Sequence, residues 1–309
     1  MLSCELDDFE RFLDEKTWSP TTITMYRRLI KLLSKWMDQQ GIQSFGDLTI
    51  RHAKEFAAST KWGNSLIRKL NSVLLQFMRW KFGEEHSLAR WRVRREVSPP
   101  QRTLNENMVG QLLSSFQPGI SDGFGTRYRR FGICDTDQPL GKRNLAIIWL
   151  MLDTGFRCAE ICNLALSNLD LANHSATGLV KFGRWRTAHF STHTAQVLAN
   201  WLEVRPARGP HVFTPVMNTK QRMTEAGMRN MFRKIGLLSG IGPFSPHDLR
   251  RTFATLSIRN GASLQAVKEA GGWKNTEMVL HYTRAITGEE IVPFLPGNVL
   301  VSKAQNALA

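Results

Sequence analysis

Acidic residues are in short supply in this 309-residue chain: Asp and Glu total 26 against 41 Lys and Arg, a formal net charge of +15. Cysteine is scarce, with 4 in the whole sequence, and tyrosine scarcer, with 3. Cys4 and Cys134 stand alone, and Cys158 and Cys162 lie one helical turn apart with no further ligand at zinc spacing. That pattern excludes a disulfide framework and reads as reduced, intracellular thiols, with no metal or other cofactor expected. Long apolar runs are missing: the densest, Leu145–Leu152, is far short of the ~20 residues of a membrane helix. The segment Met1–Glu15 is acidic and has no basic or apolar leader region, so a cytoplasmic protein without a cleaved signal is expected.

Hydrophobic residues make up 42% and charged residues 22%, ordinary values for a folded chain of about two domains. The positive excess is spread along it. Residues 1–96 hold 17 Lys/Arg and 12 Asp/Glu, and the remainder 24 and 14. Both parts therefore suit one polyanionic partner gripped by the two together. Arg90, Arg92, Arg94, Arg95 and Arg102 crowd the candidate linker at 97–103.

Mainly α structure is expected. Residues 1–96 read as a small helical domain: Leu6–Glu15, then a helix opened by Ser19-Pro20 with Tyr26, Leu29, Leu33 and Trp36 on one face, a short helix after Thr49, and one from Asn64-Ser65 to Gly83. Val97-Ser98-Pro99-Pro100 breaks the helical pattern. Residues 104–285 read as a larger helical domain, with helices at Leu104–Phe116, Arg143–Asp153, 193–204, 224–238, 246–259, 264–270 and 275–284. Two strand candidates, Thr177–Phe182 and Arg186–Phe190, flank a turn at Gly183 and form the small β-hairpin. Residues 117–140 read as a loop, and 286–309 as a tail with the apolar run Ile291–Leu295.

Four local patterns stand out. Gly155-Phe156-Arg157 ends one helix and opens the next, and Glu160 one turn on can hold the guanidinium or cap the turn. Lys181 sits on the hairpin with Arg184 and Arg186 after it. Ser245-Pro246-His247-Asp248-Leu249-Arg250-Arg251 opens a helix with His247 and Arg250 on one face. Gly271-Gly272-Trp273 leads to the helix that carries Tyr282. Each has an ordinary structural reading alone: a helix junction, an edge lysine, a helix start, a packed tyrosine.

Taken in order, Arg157, Lys181, His247, Arg250, Trp273 and Tyr282 resemble the active-site series of the tyrosine recombinase (phage integrase) family. Lys181 follows Arg157 by 24 residues and Tyr282 follows Trp273 by 9, spacings similar to the family's. The resemblance is carried at 104–285; residues 1–96 resemble the family's core-binding domain only in size and pattern. Trp273 stands where His is commoner, and Arg251 where His often follows the second arginine.

The resemblance implies a site-specific recombinase that cuts and rejoins DNA without metal or ATP, through a 3′-phosphotyrosyl intermediate. Tyr282 would be the nucleophile, Arg157 and Arg250 the phosphate clamp, Lys181 the acid for the 5′-oxygen, His247 a base or hydrogen-bond partner, and Trp273 a phosphate contact. Arg184, Arg186 and Arg251 are further candidate DNA contacts. Also implied are a clamp of two domains around double-stranded DNA bearing a specific site, a homo-tetramer with a dimer per site, an exchanged tail at 286–309, and accessory DNA-bending or directionality proteins. A type IB topoisomerase-like relaxing enzyme and a non-catalytic DNA-binding protein on the same scaffold are the alternatives.

Overall fold

The computed structural model describes residues 2–94, 102–119, 132–179, 184–207, 209–216 and 222–282. The chain divides into two compact units, Met1–Ser98 and Pro99–Ala309, each with its own hydrophobic core.

The first unit consists of α1 (Leu2–Asp14), α2 (Pro20–Gln39), α3 (Ile50–Ser59) and α4 (Asn64–Phe82). The Ser19 hydroxyl accepts from the Thr22 N–H and Pro20 takes the first helical position, so α2 starts where the cap signal sits in the sequence. Its apolar stripe, Tyr26, Leu29, Ile30, Leu33 and Met37, is buried against Phe9, Phe12 and Phe77. Lys81 ties α4 to α1 through Glu5 at 3.0 Å and Asp8 at 2.8 Å. Arg90, Arg92 and Arg94 are exposed.

In the second unit α5 (Glu106–Ser114) and α6 (Pro139–Thr154) precede the short α7 (Cys158–Asn163). A three-stranded antiparallel sheet follows, in the order β1 (Leu169–Asp170), β2 (Ser175–Leu179), β3 (Trp185–His189). Then come α8 (Thr192–Val204), α9 (Glu225–Leu238), α10 (Pro246–Arg259), α11 (Leu264–Gly271) and α12 (Thr276–Tyr282). The apolar run seen in the sequence is the buried centre of α6, a core helix. That helix begins four residues before the expected Arg143, because Pro139 occupies its first turn. The two-residue β1 carries no sequence pattern of its own; it exists by pairing with Ser175 and Ala176.

Strand parity decides which side chains reach the core. On β2 and β3, Ala176 pairs with Ala188 and Gly178 with Arg186, and all four face inward. Leu179 and Trp185, the last pair before the connection between the two strands, are exposed. The expected turn at Gly183 and the tail at 286–309 lie outside the described residues, as do most of the 97–103 linker and residues 120–131 of the 117–140 loop. All four cysteines are free thiols. Among the described residues no helix is long and apolar enough to cross a membrane, and no group of three or more His, Cys, Asp or Glu is placed to hold a metal.

Candidate active site

The site starts at a helix end that only glycine can make. Gly155 closes α6 in the left-handed region at φ 58°, and a Cβ there would lie 2.4 Å from the Phe253 ring. The turn delivers Arg157 to the N-cap of α7. Glu160, one turn on, is buried, and its Oε2 accepts the Arg157 backbone N–H at 2.6 Å. The Arg157 guanidinium donates to the Gly272 carbonyl at 3.4 Å; its buried Nη1 lies 3.6 Å from Glu160 Oε2 and has no hydrogen-bond acceptor among the described residues.

Glu160 has a second task that its sequence position did not announce. Its Oε1 accepts from Arg186 Nη2 at 3.2 Å, and Arg186 also donates to the carbonyls of Thr154 and Ala270. The Arg186 guanidinium lies 4.6 Å from the centre of the Phe156 ring, and burial pushes its pKa down from the usual arginine value. Alternation along β3 was the signal available for this: Arg186 shares parity with the buried Ala188, not with exposed Trp185 and His189.

The cap at Ser245 sets α10. The Asp248 carboxylate accepts from the Ser245 backbone N–H at 2.7 Å and from its hydroxyl at 2.9 Å, and Pro246 opens the helix. Arg250, next along, is 1% exposed. It donates to the carbonyls of Gly155 and Gly271, the latter at 2.7 Å, and its guanidinium lies 4.2 Å from the centre of the Trp273 ring. Burial first, then the Arg157 and Arg186 guanidiniums, pull its pKa down to about 9, which leaves it charged at neutral pH. Among the described residues, two of its five N–H donors go to carbonyls.

Gly271 and Gly272 complete the pocket by their lack of side chains. A Cβ on Gly271 would sit 1.7 Å from the Trp273 ring, and one on Gly272 2.6 Å from Arg186 Cδ. Their carbonyls therefore come close enough to hold Arg250 and Arg157 respectively. Trp273 is buried and stacks on Phe253 at 6.2 Å. Beyond it, Tyr282 ends the described part of α12. Its ring centre is 5.7 Å from that of Trp273 and 5.9 Å from that of His247, the latter edge to face.

His247 is exposed on one side, yet its pKa is pushed down to about 4. Crowding of the ring away from water is the largest cause, and the Arg251 and Arg250 guanidiniums act in the same direction. Cations beside an imidazole disfavour its charged form whatever its exposure, so the direction stands although one edge meets solvent.

Five of the six expected site residues, Arg157, His247, Arg250, Trp273 and Tyr282, thus converge from four elements. Lys181 lies outside the described residues. Arg184 is exposed and, with Trp185, Lys268 and Lys274, lines an open pocket of about 640 Å³ that Gly272 and Trp273 join to the site. Arg186 and Arg251, expected from the sequence to contact DNA, are turned inward instead: one is spent on Glu160, the other on Asp248. Both guanidiniums form their ion pairs inside the protein, beside the pocket. Four guanidiniums (Arg157, Arg186, Arg250, Arg251) against two carboxylates (Glu160, Asp248) leave the cluster near +2.

Comparison with known proteins gives a consistent picture. A profile of the phage integrase family matches residues 129–288, and one of the phage integrase N-terminal SAM-like domain matches 6–85. The chain is 27% identical to the tyrosine recombinase XerC of Bacillus pumilus over 279 residues, covering 87% of each protein. It is 26% identical to the XerC of Yersinia pestis, covering 91% of this chain and 90% of that one. Among solved structures, the integrase of transposon Tn1549 in complex with transposon right-end DNA shares the fold with a TM-score of 0.70 at 16% identity, covering 93% of this chain and 96% of that one. The XerH site-specific recombinase bound to its difH substrate does so with a TM-score of 0.66 at 17% identity, covering 90% and 81%.

Proposed function

The chain belongs to the phage integrase family, and from that premise we propose that it is a site-specific DNA recombinase using Tyr282 as nucleophile. The observation that carries this reading is the seat of the Tyr282 ring, within one chain, against His247 and Trp273 and beside the arginine cluster.

In this reading the scissile phosphate lies between Arg157 and Arg250. Their N–H groups take the non-bridging oxygens and offset the charge that grows as phosphorus becomes five-coordinate. His247, neutral at physiological pH, accepts the phenolic proton as the Tyr282 oxygen bonds to phosphorus. The bond from phosphorus to the 5′-oxygen breaks, and Lys181 supplies a proton to that oxygen. The products are a 3′-phosphotyrosyl link and a free 5′-hydroxyl. Attack by a second 5′-hydroxyl reverses the same steps, so the phosphodiester is rebuilt with no external energy source. Trp273 supports the Arg250 guanidinium with its ring face and lends packing to Tyr282. Arg184, exposed at the pocket's mouth, is a candidate contact to the DNA backbone.

The N-terminal unit then serves as a second DNA-binding surface, and assembly is a homo-tetramer on two sites, a dimer on each. The segment 286–309 is exchanged between protomers, accessory bending or directionality proteins set the direction, and the protein acts in the cytoplasm.

The test is covalent capture from a pool of nicked duplexes of randomised sequence, in which cleavage releases a short fragment and traps the intermediate. The wild-type chain should become linked to DNA 3′ ends, and Tyr282→Phe should give no linked product. Capture by the Phe variant would remove Tyr282 from its role. Relaxation of a supercoiled plasmid that lacks the captured sequence would shift the reading to a topoisomerase.

A further inference from the structure

Three side chains of α10 point at Tyr282, and they are spaced four apart. His247 meets its ring edge to face at 5.9 Å. The Arg251 guanidinium carbon lies 5.9 Å from the same ring centre. The Thr255 hydroxyl donates to the Tyr282 backbone carbonyl at 3.1 Å. Positions 247, 251 and 255 form one stripe on a helix, so α10 presents a continuous face to the end of α12.

Arg251 is the unexpected member of that stripe. Its side chain is 11% exposed. Its Nη1 donates to Asp248 Oδ1 at 2.8 Å and to the Arg102 carbonyl at 3.2 Å, and its buried Nε has no acceptor among the described residues. A buried ion pair adds little stability over an apolar pair of the same shape, and an unsatisfied buried N–H subtracts from it. Folding alone is therefore a poor reason for a guanidinium here.

We propose that Arg251 is a positioning residue of strand transfer, seating the Tyr282 ring beside His247 within its own subunit. The inference rests on the recombinase reading above. Arg251 acts in two ways. Its planar cation, braced by Asp248 and the Arg102 carbonyl, lies against the phenol ring and restricts its swing. Its charge also disfavours a proton on His247. Arg250 on the same helix and Arg157 at the start of α7 push that equilibrium the same way, Asp248 opposes them, and Tyr282 faces the imidazole from α12. Of the cations, Arg251 contributes most.

The experiment compares wild type, Arg251→Ala and Arg251→Lys in single-turnover capture of a nicked duplex recovered from the randomised pool, across pH. It also follows the His247 ring titration by NMR in the DNA-free chain. Arg251→Ala should slow capture about tenfold, the scale of a desolvated cation–π contact. The acid limb of its rate profile should move toward neutral pH, and the His247 titration should rise toward the ordinary 6.5. Arg251→Lys, which keeps the charge but not the planar fork, should restore the position of the limb and part of the rate. Capture by Arg251→Ala at the wild-type rate overturns the proposal. So does a slowed rate with an unmoved limb and titration, or a Lys variant no better than Ala, since a packing role predicts both. A wild-type chain that captures no DNA defeats the recombinase reading, and an unmoved His247 titration defeats the role of Arg251 independently of it.

Discussion

Two site arginines depend on Glu160. One carboxylate oxygen fixes the backbone from which Arg157 projects, and the other holds Arg186. Both Glu160 and Arg186 are almost fully buried, so removing the carboxylate leaves a cation without a counter-charge in a place water does not reach. Glu160→Ala should lower the unfolding free energy by about 3 kcal/mol, measured by urea denaturation, and should depress covalent capture as well. A loss below about 1 kcal/mol would mean that the pair is hydrated and that Arg186 does not need it. Glu160 was legible as a partner for a guanidinium from its place one turn after Arg157. It lies 3.6 Å from that Arg157 guanidinium; its pairing with Arg186 as well was not legible, because Arg186 is 26 residues away and only sheet register brings it near.

At the scale of elements, the pocket is assembled by helix ends rather than helix middles. Arg157 caps α7, His247 and Arg250 lie in the first turns of α10, and the glycines that end α11 offer carbonyls to Arg157 and Arg250. Helix starts and stops are the best-marked features of a sequence, through Ser-Pro and Gly signals, which is why the expected bounds of α10 agree with the observed Pro246–Arg259. Close approach of the Gly271 backbone to Trp273 is the weak point of this design. Gly271→Ala places a methyl inside the Trp273 ring, and Arg250 rests on both. The substitution should cost about 1–3 kcal/mol or more through overpacking, seen as a lowered melting temperature. Capture should fall further than the loss of folded protein explains, because the Arg250 guanidinium is displaced. Unchanged melting and capture would show that the turn relaxes freely.

For the whole molecule, the net charge of +15 is the dominant long-range property. Exposed arginines occur on both units, at Arg90, Arg92 and Arg94 in the first and Arg184 in the second. If the chain grips duplex DNA through several phosphates, counterion release makes affinity fall steeply with salt. Raising salt from about 50 to about 200 mM should weaken binding of a captured duplex by about a thousandfold, measured by fluorescence anisotropy with the Tyr282→Phe chain. A loss under about tenfold would count against a backbone grip of that extent. Fold class was open to reading at this scale because apolar periodicity, caps and the Pro-Pro break are local. The two-residue β1 was not, because a strand that short is created by its partner.

Sequence alone determined the chemistry on offer: a scarce tyrosine, arginines at helix starts, a helix-opening His-x-x-Arg, and an excess of positive charge over two helical units. Those signals survive without a structure because each depends on residue type and short-range spacing. Tertiary structure decided which cations face outward and which brace the pocket. Arg186 and Arg251 look the same as Arg184 in the sequence, but sheet parity turns one inward and the packing of α10 on α12 encloses the other. Burial and partnership of a charge are set by residues far away in the chain, and only folding brings those residues within reach.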